Sequence, residues 1–407
     1  MDHVAVSGMG VVSPVGHDVE TFWRGVIGGV CAVAPIPDGE GLSGNRLWAA
    51  VPDAFLEHSP LPPTALRNAD RFTHYALVAA DEAVRQSSAE PLDKLRTAVV
   101  LGNTMGGFPF VAAAQTTYLA EGQKSVPPKL MALVIPNMPA ARVSLHYHLH
   151  GPQLAVSNAC ASSLDAVGIA ARMIEHGEVD LAIAGGTEDL LCDLVYESLA
   201  RAGALSHNSD PSLASRPFDA ERDGFVMGNG AAVLVLERVE HALARGARVL
   251  ARVRGYGQVA DAHHITSPEP SGEWEALAMR RALDDAALAP SEAPAAVFAH
   301  GTATVVGDAA ELRAINRIYG RAANVPPVTS LKGHMGHSMA ASGAMSLIAG
   351  IVGMERGLLS QTLGTRHVDP AAEFEVVTQR PRPLIFSSFQ VNAFGFGGQN
   401  SSLVVTR

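Results

Sequence analysis

Four short segments recur in the same order in the two halves of this 407-residue chain. An ordered internal repeat restricts the fold to one built from two like units. Val6-Ser7-Gly8-Met9-Gly10 is matched by Val253-Arg254-Gly255-Tyr256-Gly257. Val99-Val100-Leu101-Gly102-Asn103-Thr104 is matched by Val297-Phe298-Ala299-His300-Gly301-Thr302. Cys160-Ala161-Ser162-Ser163, closing at Glu175-His176-Gly177, returns as Ala340-Ala341-Ser342-Gly343, closing at Glu355-Arg356-Gly357. Phe225-Val226-Met227-Gly228 returns as Phe394-Gly395-Phe396-Gly397, each ahead of an apolar strand. The join falls near residue 245 and predicts an N-terminal unit over 1–245 and a C-terminal unit over 246–407. Apolar runs such as Leu181-Ala182-Ile183-Ala184 and Ala231–Leu236 read as strands buried on both faces, which need helices as cover. The fold class is therefore α/β.

Composition excludes several functions. With 47% apolar and 17% charged residues the chain has a large core and is not disordered. Its net charge of −10 argues against gripping a nucleic-acid backbone. Cys31, Cys160 and Cys192 are odd in number and widely spaced, so neither a disulfide framework nor a zinc site is expected. The start Met1-Asp2-His3 lacks the bases of an export signal, and the uncharged run Met339–Met354 is shorter than the ~20 residues of a membrane span. The expectation is a cytoplasmic protein with no membrane segment.

Cys160 follows a short strand and opens a helix with apolar positions at Leu164, Val167, Ile169, Met173 and Ile174. A helix N-terminus lowers a thiol's pKa and offers free N–H groups to an oxyanion; the alternative is an inert core cysteine. His300 ends a predicted strand at a glycine turn. His337 lies in a Lys332–His337 loop that the second unit adds between strand and helix. One thiol and two imidazoles at strand ends make a nucleophile with acid/base partners. Gly8-Met9-Gly10 lacks the third glycine of a dinucleotide fingerprint, and there is no phosphate-binding GxxxxGK[ST].

Together these segments resemble the β-ketoacyl synthases, condensing enzymes of the thiolase fold. The resemblance runs over the whole chain, through Val156–Ser163, Arg216-Pro217-Phe218-Asp219 with Arg222–Gly228, His300–Thr304 with Asp308 and Glu311, Lys332 with Gly336-His337, and Asn392–Gly398. It implies duplicated half-units in a layered αβαβα core. It implies Cys160 as the nucleophile and His300 and His337 as the pair that promotes decarboxylation of a malonyl thioester. Lys332, Glu311 and Asp308 are implied as supporting charges, and the N–H groups of Cys160 and Phe396 as an oxyanion hole, with Phe396 also gating. Met105 and Phe108 are implied in the acyl pocket. Arg67 and Arg71 resemble one side of a docking site for acyl carrier protein; the alternative is solvated arginines on a helix. No metal or other cofactor is expected, since substrates arrive as phosphopantetheine thioesters on carrier protein or coenzyme A.

Thr304-Val305-Val306 lacks a usual proline, Asn229 stands where Glu is usual, Gly333-His334 follows Lys332, and Met105 lines the tunnel. These departures point to a type II polyketide or specialised fatty-acyl pathway. The alternatives are housekeeping fatty-acid elongation, an acyltransferase or cyclase without decarboxylation, and a non-catalytic partner resembling a chain-length factor. The resemblance also implies a dimer, either of identical chains or with a chain-length-factor-like homologue.

Overall fold

The computed structural model describes residues 4–36, 46–57, 59–288, 294–320 and 324–407; the Met1–His3 start lies outside them. Ten strands form one sheet: β1 (Val4–Val12), β2 (Thr97–Gly102), β3 (Gln153–Val156), β4 (Leu181–Glu188), β5 (Gly230–Arg238), β6 (Ala251–Ala260), β7 (Val297–Phe298), β8 (Val328–Thr329), β9 (Ser388–Gly395) and β10 (Gln399–Thr406). Among its helices are α1 (Arg71–Ser87), α2 (Phe108–Glu121), α3 (Met138–Tyr147), α4 (Ser162–Glu175), α5 (Asp193–Arg201), α6 (Glu273–Ala286), α7 (Val305–Tyr319), the short α8 (Lys332–Met335) and α9 (Ser342–Arg356).

Spatial order makes the repeat visible. The strands run β3-β2-β4-β5-β1 and then β6-β10-β9-β7-β8, so the second five mirror the first about the β1–β6 contact. That contact is antiparallel and three residue pairs long, Val4 to Val253, Ala5 to Arg252 and Val6 to Ala251. Helices α1 and α3 cover the outer face of the first five strands, and α6, with α7 packed on it, covers the second. Helices α4 and α9 lie between the halves, each touching strands of both. The layering is αβαβα, as the resemblance implied.

Sterics explain the recurring Gly-x-Gly. A Cβ on Gly8 or Gly10 would stand 2.0 Å from the carbonyl oxygens of Ala83 and Ala79 in α1. On Gly255 and Gly257 it would stand 2.0 and 2.1 Å from those of Ala282 and Ala278 in α6. Each pair lets an outer helix rest on the backbone of the first strand of its half. In this chain Gly8-Met9-Gly10 is a packing device, not a nucleotide motif.

The run Met339–Met354 is buried throughout between the halves, and among the described residues no helix is long and apolar enough to cross a membrane. Contact across the halves is equally tight at Gly168 of α4, where a Cβ would lie 2.5 Å from the ring of Tyr256 in β6. Substituting Gly168→Val should therefore destabilise the fold by about 1–3 kcal/mol in urea unfolding, the usual cost of overpacking a core. A midpoint unchanged from wild type would contradict this packing.

Candidate active site

The nucleophile turn is strained and tied down locally. Ala159 has φ of +48°, the left-handed region that a non-glycine residue seldom occupies. The Asn158 N–H donates to Ser162 Oγ (2.8 Å), and that hydroxyl donates to the Ala159 carbonyl (2.6 Å). Cys160 sits in the single 3₁₀ turn Ala159–Ala161 that leads into α4, just outside the helix proper. The equivalent turn of the second half, Met339–Ala341, repeats the conformation, with Met339 at φ +42°.

Asp165, one turn into α4, was passed over among the apolar positions of that helix. It is fully buried and accepts from Asn158 Nδ2 (2.7 Å), Tyr256 Oη (2.7 Å) and Gln258 Nε2 (3.0 Å). It thus ties the nucleophile turn to β6 of the other half. A carboxylate set within the apolar stretch Leu164–Ala171 is the signal for it.

The second half supplies the imidazoles. His337 Nε2 lies 3.0 Å from Cys160 Sγ, and its Nδ1 lies 3.0 Å from Ser342 Oγ. The rings of His300 and His337 meet edge-on at 5.3 Å, and Phe225 and Phe394 flank them at 5.4 and 5.9 Å. Cys160, His300 and His337 place their donor atoms within 4.8 Å of one another. The backbone N–H groups of Cys160 and Phe396 both reach the Cys160 sulfur. Gly395 makes that approach feasible, since a Cβ there would stand 2.9 Å from the Cys160 nitrogen.

Lys332 and Glu311 act on opposite sides of His300. The Lys332 ammonium donates to the His300 carbonyl, and Glu311 accepts from the N–H groups of His300 (2.8 Å) and Gly301 (2.6 Å). Their hydrogen bonds reach His300 through its backbone. Asp308 accepts from the N–H groups of Phe218 (2.7 Å), Thr302 (2.9 Å) and Ala303 (3.0 Å), holding another left-handed residue, Ala303 at φ +68°. Burial pushes the carboxyls of Asp308 and Glu311 up to about 6 and about 7 and the Lys332 ammonium down to about 8.

Burial also overturns the expectation of an acidified thiol. Desolvation pushes Cys160 up to about 12, against the opposing charge of Lys332 and the two N–H groups. Desolvation and Lys332 hold His337 well below its ordinary value, and both act the same way on His300. The resting pair is a neutral thiol beside a neutral imidazole. A helix N-terminus is legible in sequence, whereas the solvent lost around it is not.

A cavity of about 590 Å³ contains all three reactive side chains. Met105 and Phe108 line it, as do Leu199 and Gly203 around α5 and Thr302 and Thr304 toward α7. Phe396 also lines it and is 43% exposed. Arg67 is exposed, and Arg71, its side chain 38% exposed, is held in ion pairs. Its guanidinium pairs with Asp53 (2.7 Å) and with the buried Asp189 (3.1 Å), and it donates to Tyr75. Asn229 explains itself in the same network: its amide donates to Asp189 Oδ1 (3.0 Å), where a second carboxylate would repel.

Residues 1–242 match the family model for the β-ketoacyl synthase N-terminal domain, and residues 250–366 match that for its C-terminal domain. The 3-oxoacyl-[acyl-carrier-protein] synthase 2 of Staphylococcus aureus (strain N315) is 36% identical over 403 residues, 98% of this chain and 97% of that protein. That of Coxiella burnetii is 35% identical over 407 residues, covering 99% and 98%. Among solved structures, a β-ketoacyl synthase from Burkholderia phymatum STM815 superposes with a TM-score of 0.91 at 34% identity over 100% of both chains. The ishigamide ketosynthase/chain length factor superposes at 0.90 with 32% identity, covering 100% of this chain and 99% of that one. AntDE:AntF, a type II polyketide synthase carrier protein bound to its ketosynthase, gives 0.90 at 28% identity over 100% and 99%.

Because burial raises the Cys160 thiol to about 12, the thiolate fraction rises tenfold per pH unit across the neutral range. Alkylation of Cys160 by iodoacetamide, followed by mass mapping, should accelerate without levelling off from pH 6 to pH 9. A plateau near pH 7 would contradict the neutral pair.

Proposed function

Since the chain belongs to the β-ketoacyl synthase family, we propose that its Cys160, His300 and His337 carry out decarboxylative condensation of an enzyme-bound acyl chain with malonyl-carrier protein. The carrying observation is the 3.0 Å contact of His337 Nε2 with Cys160 Sγ inside the cavity that also holds His300.

In acylation, Sγ attacks the carbonyl of an acyl thioester while its proton passes to His337 Nε2. The oxyanion takes hydrogen bonds from the N–H groups of Cys160 and Phe396, a contact typically worth ~2.7–4 kcal/mol per donor. Collapse breaks the carbon–sulfur bond to the carrier, and His337 returns the proton to the leaving thiolate. In condensation, His300 and His337 donate to the carbonyl oxygen of the malonyl thioester. Carbon dioxide leaves, and the electron pair moves into an enolate that those donors stabilise. The enolate carbon attacks the acyl-Cys160 carbonyl, and the bond to sulfur breaks. The thiolate then takes up the one proton that the condensation consumes. Lys332 and Glu311 position His300, and Asp308 holds the Thr302–Ala303 turn.

The three reactive donor atoms are also of the kinds that bind a metal ion. In this mechanism all three already carry out steps, and the enzyme is proposed to work without a metal or other cofactor. We place it in a type II polyketide or specialised fatty-acyl pathway of the cytoplasm. The departures at Asn229, His334 and Val305-Val306 support that reading over housekeeping elongation. A purely non-catalytic partner is disfavoured because the complete nucleophile and histidine set faces one cavity. Acyl carrier protein is the proposed substrate carrier, with Arg67 on the docking side.

We also propose a dimer, with a second copy or a chain-length-factor-like homologue, along β3. That strand ends the sheet among the described residues, with Gln153, Leu154 and Ala155 exposed. An open edge of this kind invites strand pairing. Wild-type protein should run as a dimer in light scattering, and Leu154→Lys should shift it toward monomer; a monomeric wild type would contradict the pairing.

Intact-mass spectrometry with acyl-carrier thioesters should show an acyl adduct on wild type and none on Cys160→Ala. Malonyl-carrier should then discharge it as a β-keto product two carbons longer. His300→Ala should keep the adduct and lose decarboxylation by about 10²- to 10⁴-fold, whereas His337→Ala slows both steps. Discharge without malonyl-carrier would instead indicate an acyltransferase or cyclase.

A further inference from the structure

The two half-reactions place opposite demands on one nitrogen. In acylation, Nε2 of His337 must accept the thiol proton of Cys160, so the ring must carry its own proton on Nδ1. In decarboxylation, Nε2 must donate to the malonyl carbonyl, so Nδ1 must be bare. A neutral imidazole satisfies one demand at a time.

What faces Nδ1 decides whether both tautomers are equally supported. A carbonyl or carboxylate can only accept and would lock the proton on Nδ1. A backbone N–H can only donate and would lock Nδ1 bare. The group at Nδ1 here is the hydroxyl of Ser342, 3.0 Å away at the start of α9, with both side chains buried. A hydroxyl is donor and acceptor in one atom, and its hydrogen rotates to suit. Among the described residues, His334 provides the contrast three positions earlier. Its Nδ1 and Nε2 face the carbonyl oxygens of Val30 (3.1 Å) and Gln361 (3.0 Å), neither of which can donate.

We propose that Ser342 is a positioning residue for the condensing reaction: its hydroxyl supports either neutral tautomer of His337, so that the group facing Nε2 selects which one is present. With the free thiol at Nε2 the ring is Nδ1–H and Ser342 accepts. With Cys160 acylated, the ring is Nε2–H and Ser342 donates. A neutral ring enters the exchange and a neutral ring leaves it: water in the cavity supplies the proton gained at Nε2, and the proton lost from Nδ1 passes to the Ser342 hydroxyl, which gives up its own to water. This inference rests on the proposed reaction, but the tautomer change is observable without substrate.

The test uses full-length protein with ¹⁵N-labelled histidine, the His337 signals being identified by their absence in His337→Gln. Free enzyme should show His337 protonated at Nδ1. After carbamidomethylation of Cys160 by iodoacetamide, the proton should be on Nε2. The same tautomer in both states would overturn the proposal whatever the enzyme's activity. In turnover with acyl- and malonyl-carrier, Ser342→Ala should lower kcat about 10- to 100-fold with KM for either thioester within about two-fold. Ser342→Thr, which keeps the hydroxyl, should stay within about three-fold of wild type. Ser342→Ala at wild-type kcat, or loss in both variants alike, would also overturn it. A wild type that forms no acyl-enzyme, yet still shows the tautomer change, would instead count against the reaction and leave the switch standing.

Discussion

The close apposition of α4 and α9 is the contact on which the site depends. These helices come from different halves of the chain, lie between the two sets of five strands, and bring their N-terminal turns together. Gly343 permits the approach, since a Cβ there would stand 2.7 Å from Leu164. Ser163 Oγ accepts the Ala344 N–H (3.1 Å) across the join. Gly186 packs against Ala340, at the position matching the nucleophile. With the helices so placed, Cys160 meets His337, and Phe396 from the end of β9 brings its N–H to the same sulfur. No half of the repeat could build this arrangement alone.

The same apposition removes water, and the loss of solvent governs the chemistry. A thiol pushed up to about 12 and imidazoles held well below their ordinary value cannot rest as an ion pair. In the proposed reaction the proton moves only as the sulfur attacks, and the oxyanion forms beside the N–H groups of Cys160 and Phe396. Electrostatic preorganisation of this kind is where most of the barrier reduction in acyl transfer arises. The buried carboxyls and ammonium around His300 serve the backbone that carries it.

Much of this was legible in the residues. The ordered repeat predicted two like α/β units, and the strand order, mirrored about the β1–β6 contact, contains them; the helix contact that each Gly-x-Gly permits shows only in the fold. The motif resemblance brought Cys160, His300 and His337 forward, and the structure places them within one cavity. Other features were not legible, for definite reasons. Burial reversed the expected thiol shift, because a segment pattern does not report how much surface two halves exclude between them. The pairing of Arg71 with the buried Asp189 was not legible, since the two lie 118 positions apart. The partners of Asp165, Tyr256 and Gln258, were not legible because they lie more than 90 positions away and meet it only in the fold.

The most direct test of the central claim is a crystal structure of the enzyme acylated at Cys160. The account predicts the thioester carbonyl oxygen within hydrogen-bonding distance of the N–H groups of both Cys160 and Phe396, with the chain running past Met105 and Phe108. A carbonyl turned instead toward His300 and His337, or a chain directed out past Thr304, would contradict it.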